Sequence, residues 1–106
     1  MNAKAYGITY ISAELLADFA PLEAAIGDVV EELVGQDKEP KMVMYLDGLP
    51  PDLKGKGIIV NKTNKLIAIE LFGAETDGWR GKKVRLEVVP VTFGGKTVKG
   101  IRLGKA

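Results

Sequence analysis

The sequence contains no cysteine and no histidine. The first absence rules out a disulfide framework and any thiolate metal site. The second removes the usual proton carrier near neutral pH, the Ser-His and Cys-His nucleophile systems, and the commonest zinc ligand. Only carboxylates, lysines, tyrosines and hydroxyls remain for chemistry, so a non-enzymatic protein without cofactor or metal is expected. Aromatic residues are scarce too, at three Tyr, three Phe and one Trp. No apolar run approaches the ~20 residues that cross a bilayer, and the N-terminus lacks the charged-then-apolar layout of a secretory leader. A cytoplasmic protein with no membrane partner is the expectation.

What is present fits one globular domain of 106 residues, 46% hydrophobic and 27% charged. The formal net charge of +1 conceals a segregation. Residues 1–53 hold three Lys against ten Asp or Glu, a balance of −7, and residues 54–106 hold twelve Lys or Arg against four acids, a balance of +8. The basic half can attract phosphates and the acidic half can meet a basic protein, unless the fold lays one half on the other.

Residues 1–20 read as an N-terminal arm with one short helical turn, capped by Ser12 and with Glu14 in its first turn. Residues 21–106 read as the main domain. Leu22, Ala25, Ile26, Val29, Val30 and Leu33 fall at helical spacing, which by itself predicts an amphipathic helix. A strand there requires a bulge or bend at Gly27. From Lys41 to Asp47 the chain alternates, with Met42, Met44 and Leu46 on one face and Val43, Tyr45 and Asp47 on the other. Ile58–Val60 is a short strand, and Asn61, Thr63 and Asn64 supply cap oxygens for a helix through Phe72 that stops at Gly73. Lys82–Phe93 and Thr97–Leu103 are strands joined by Gly94-Gly95. Val89-Pro90 suits an edge or bulge, and Gly100 is expected to slip the last strand by one residue. With one strand ahead of residue 41, the order is five strands with a helix between the third and fourth. That is an all-β, OB-fold-like five-stranded barrel.

Four segments together, Lys41-Met-Val-Met-Tyr-Leu-Asp-Gly48, Gly57-Ile-Ile-Val-Asn-Lys-Thr-Asn64, Asp77-Gly-Trp-Arg-Gly-Lys82 and Phe93-Gly-Gly-Lys-Thr-Val-Lys-Gly-Ile-Arg102, carry a resemblance. The chain resembles short, largely uncharacterised OB-like proteins encoded by bacteriophages and prophages, over residues 26–103. The resemblance implies an OB-like barrel in which Ile26–Glu32 is the first strand, and on that ground the strand reading is preferred over the helical period. It implies a host-cell cytoplasmic location and little about activity. The loop Leu49–Lys56 looks longer than is usual in that group.

The expected function is non-catalytic binding of single-stranded DNA or RNA, with a phage or host protein docked by the acidic half as the alternative. Tyr45 and Trp79 are the candidate stacking rings. Lys62, Lys65, Arg80, Lys82, Lys83, Arg85, Lys96, Lys99 and Arg102 are the candidate phosphate contacts. Arg85, Lys99 and Arg102 are expected to form one cationic stripe if they share a face of the last hairpin. Glu39-Pro-Lys41 and Asp52-Leu-Lys54 fit the acid-x-lysine piece of metal-dependent nucleases, and Glu75 and Asp77 have oxygen ligands for Mg²⁺ or Ca²⁺. Neither acid-x-lysine piece is expected on a firm strand.

Overall fold

Residues 22–34 are extended. They form strand β1, Leu22–Val34, in a computed structural model that describes residues 9–106 apart from the side chain of Phe93. Gly27 explains the helix-like spacing. Ile26 faces Leu46 of β2 (Glu39–Asp47), but Asp28 faces Tyr45, so one extra residue is inserted at Gly27. Before it, Leu22, Ala24 and Ile26 face the core; after it, Val29 pairs with Met44 and takes over the inward phase. A period of two with one inserted residue puts core-facing side chains at 22, 24, 26 and 29, and the three-residue step from Ile26 to Val29 mimics helical spacing.

The remaining elements are helix α1 (Ala13–Ala17), strand β3 (Ile58–Ile59), helix α2 (Lys62–Phe72), a 3₁₀ turn at Thr76–Trp79, strand β4 (Lys83–Phe93) and strand β5 (Lys96–Lys105). Ser12 caps α1 by accepting from the Leu15 N–H at 3.1 Å, as expected. The five strands make one antiparallel sheet in the order β3-β2-β1-β4-β5, with α2 between the third and fourth strands. The sheet is open, since no strand pairing joins β3 to β5 among the described residues.

Asn64 spans part of that opening. Asn61, not Asn64, is the cap of α2, accepting from the Asn64 N–H at 2.9 Å. The Asn64 side chain is buried, donates to the Ile101 carbonyl at 2.8 Å and accepts from the Leu103 N–H at 3.0 Å. Its amide pairs with β5 as a strand residue does, so α2, which starts two residues past Val60, is tied to the sheet's far edge. The core itself is built from Leu15 and Leu16 of α1, the inward residues of β1, β2, β4 and β5, and Leu49 and Leu53 of the long loop.

The β4–β5 hairpin corrects two expectations. Its register runs unbroken from Val84↔Lys105 to Phe93↔Lys96, so Gly100 introduces no slip. Val98 simply lies on the face opposite Ile101 and Leu103. By the same register Lys99 lies opposite Pro90 and Arg102 opposite Glu87. Lys99 therefore projects from the other face than Arg85 and Arg102, and the three-residue cationic stripe does not form. Pro90 falls where β4 has left β1 and pairs with β5 alone, so its missing N–H costs no ladder bond on that side.

Candidate functional site

The outer face of β1–β2 carries the most perturbed side chains. After the bulge, Asp28, Val30 and Glu32 point outward beside Tyr45, Val43 and Lys41. The Tyr45 hydroxyl donates to Glu32 Oε2 at 2.5 Å and the Tyr10 hydroxyl to Oε1 at 2.6 Å. Tyr10 reaches this face because residues 9–11 lie along Gly57, with the Ile11 N–H donating to the Gly57 carbonyl at 2.8 Å. The two hydrogen bonds hold Glu32 below the usual carboxylate range. The same bonds raise Tyr10 and push Tyr45 up to about 12. All three groups are moved away from neutrality, the wrong direction for general acid–base work.

Tyr45 is thus half-buried and pinned, its ring edge against Gly57. Trp79 is not a stacking platform. It is 1% exposed, donates from Nε1 to the Gly73 carbonyl at 2.7 Å, and packs against Phe72 at 6.5 Å between ring centroids. It locks its turn instead.

Two of the three arginines, Arg80 and Arg85, are ion-paired, each with an acid of β1 among its partners. Arg85 meets Glu87 at 2.7 Å and Glu23, its cross-strand neighbour, at 4.0 Å. Arg80 meets Asp28 at 3.1 Å. Arg102 is half-buried opposite Glu87, and its Nε has no hydrogen-bond partner. By contrast Lys62 and Lys65 in the first turns of α2, Lys82 and Lys83 at the start of β4, Lys96 and Lys99 on β5, and Lys105 are exposed and in no ion pair among the described residues.

Two clefts border the outer face. The first, about 570 Å³, is lined by Lys82, Lys83 and Lys105 with Leu71 and Phe72 of α2 and with Glu23 and Glu70. The second, about 450 Å³, lies between the end of β2 and the long loop and is lined by Tyr45, Leu46, Asp47, Gly48, Leu49, Lys54 and Gly55. Ala25 pairs with Lys83 on one side and Asp47 on the other. These three residues make one row on the outer face, and with strands ~4.8 Å apart its ends are separated by ~10 Å. No protein-family model, curated protein or solved structure matches the chain.

Of the expected site residues, the fold brings Lys82 and Lys83 into the first cleft and Tyr45 into the second. Lys62 and Lys65, and Lys96 and Lys99, lie apart on α2 and the β4–β5 hairpin, outside both clefts. The sequence reading missed Lys105, Phe72, Glu32 and Tyr10. Counting the hairpin outward from Gly94-Gly95 would have set Lys105 opposite Val84. The Tyr10 contact depends on segments 22 residues apart, and no local pattern announces it. For the nuclease pattern, Glu39-Pro-Lys41 does lie on β2, contrary to expectation, but as an exposed ion pair at 3.4 Å. Asp52 sits in a turn, and no group of three or more metal-ligating side chains occurs among the described residues. Nor is any described helix long and apolar enough to cross a membrane.

Proposed function

We propose that this chain is a non-catalytic binding module for single-stranded nucleic acid, built as an OB-like barrel whose remaining gap is bridged by Asn64. The strand order with α2 between β3 and β4, and the Asn64 bonds to β5, support the barrel reading. The observation that carries the function is the row Lys83–Ala25–Asp47, which joins a lysine-rimmed cleft to a cleft walled by a fixed tyrosine. A strand crossing β4, β1 and β2 finds cations at Lys82, Lys83 and Lys105, rings at Phe72 and Tyr45, and only a methyl group at Ala25 between them. Cations for phosphates and rings for bases are the two requirements of sequence-tolerant single-strand binding. The carboxylates of Glu23 and Glu70 oppose it; Glu23 is partly drawn off by Arg85.

Titration of labelled oligo-dT at low and moderate salt tests the reading. Binding at low salt that weakens in Lys82→Ala plus Lys83→Ala plus Lys105→Ala is expected. No binding at low salt, or binding indifferent to all three changes, overturns it.

A second reading, a protein adaptor, rests on one feature. Past Gly27 the strand β1 pairs with β2 alone, leaving an acidic ribbon with Leu33 62% exposed and one unladdered edge. Capture of a protein by the intact chain after nuclease digestion, lost in Leu33→Asp, is its expected signature.

A further inference from the structure

The second cleft holds a carboxylate where a phosphate path would want none. Asp47 is exposed, its oxygens lie over Gly27, where a Cβ would come within 2.9 Å of them, and it has no hydrogen-bond or ion-pair partner among the described residues. An acceptor-only group beside a polyanion is useful if it accepts from base edges. We propose that the cleft bounded by Tyr45, Asp47 and Lys54 is a subsite for one unstacked nucleobase, selective for guanine, within the single-strand reading on which it rests.

Each wall supplies one element of that recognition. Tyr45 is held by Glu32 at its hydroxyl and by Gly57 at its ring edge, so little side-chain freedom remains to be lost when a base stacks on it. The loop wall is equally firm. Leu49 and Leu53 are buried, and the Leu53 N–H donates to the Pro50 carbonyl at 2.9 Å. Gly48 and Gly55, both at φ +80°, have open space where a side chain would stand, so a ligand can approach the backbone. Lys54 is exposed on the rim and in no ion pair among the described residues, available to a phosphate. The cleft falls in the ~300–1,000 Å³ span of small-ligand sites.

The base preference follows from donor counting. Guanine presents two adjacent donors, N1–H and the N2 amino group, to the two oxygens of a carboxylate. Adenine and cytosine place an acceptor nitrogen next to their amino group, and thymine or uracil flanks its single N–H with two carbonyls. Each of those acceptors would face Asp47 and be repelled.

The test compares a short oligo-dT with the same strand carrying one internal dG, in the wild type and in Asp47→Asn. The dG strand is expected to bind the wild type about 5- to 150-fold tighter, the size of one good bidentate base contact. Asp47→Asn is expected to abolish that ratio. Equal affinities in the wild type, or a ratio that survives Asp47→Asn, overturn the subsite while leaving single-strand binding standing. A second arm separates the two claims. Guanosine 5′-monophosphate is expected to shift the backbone amides of Tyr45, Gly48 and Gly55, and thymidine 5′-monophosphate is not. If neither oligonucleotide binds but the guanosine shifts appear, strand binding is lost and the base site stands. If guanosine monophosphate leaves those amides unmoved, the subsite is overturned.

Discussion

Glu32 shows how a single side chain can be tied to two elements that local sequence does not connect. Its two oxygens accept from Tyr10 and Tyr45, charge-assisted bonds that are stronger than neutral ones. Because its folded pKa lies below the ordinary 4.5, the stabilisation it brings is complete above that value and is lost as pH falls through the depressed folded one. Tyr45 works in the opposite direction. Its stabilisation is complete below the ordinary 10.0 and is lost as pH rises through about 12. Glu32→Gln should therefore flatten the acid side of the stability–pH profile and return Tyr45 ionisation toward its ordinary range. Ultraviolet titration of tyrosinate formation reads the second effect, and an unmoved Tyr45 midpoint would show that the carboxylate is not the cause. Trp79 gives a second residue-scale prediction. Trp79→Ala should cost about 3–5 kcal/mol in urea unfolding, as removal of a buried aromatic ring does. Trp79→Phe should keep oligonucleotide affinity, because the indole is sealed from any base.

Among the elements, α2 depends most on a long-range tie. Of its eleven residues only Asn64 and Ala68 are buried, and Leu66 is 54% exposed. Beside the apolar packing of Ile67, Ala68, Ile69 and Phe72, its polar tie to the sheet is the Asn64 amide. Asn64→Ala leaves a carbonyl at Ile101 and an N–H at Leu103 without partners, at roughly 1–3 kcal/mol for each buried group. A loss of about 2–6 kcal/mol is expected by denaturant unfolding, with faster amide exchange at Leu103. Unchanged exchange there would mean that α2 does not brace β5. Strand β1 teaches the complementary point. Its periodicity favours a helix, and the error has a physical origin in the Gly27 bulge, which converts a two-residue alternation into helix-like spacing. Where no bulge intervenes, as in β2, plain alternation identified the strand and both of its faces.

Over the whole molecule, the sequence's charge asymmetry is cancelled only at Arg80 and Arg85 among the described ion pairs that join its two halves. Central β1 sets Glu23 against Arg85 and Asp28 against Arg80, and apart from half-buried Arg102 the positive charge left outside the described ion pairs is lysine. The salt dependence of binding should report this. If Lys82, Lys83 and Lys105 each neutralise one phosphate of a single strand, the plot of log affinity against log salt should have a slope near about −2. Each Lys→Ala change should make it shallower by about 0.7, whereas Arg85→Ala should leave it nearly unaltered. An equal response to lysine and arginine removal would show that the ion pairs open on binding. Sequence by itself determined four of the five strands and their helix, the Ser12 cap, the Gly73 stop and the two faces of β2. These are set within a few residues, by alternation, capping oxygens and turn glycines. Only tertiary structure decided which charges cancel, which rings are sealed, that Asn64 serves β5 instead of capping its helix, and that Lys83, Ala25 and Asp47 share a row. Each of those depends on register and on pairing between distant strands, where a shift of one residue turns a side chain to the opposite face.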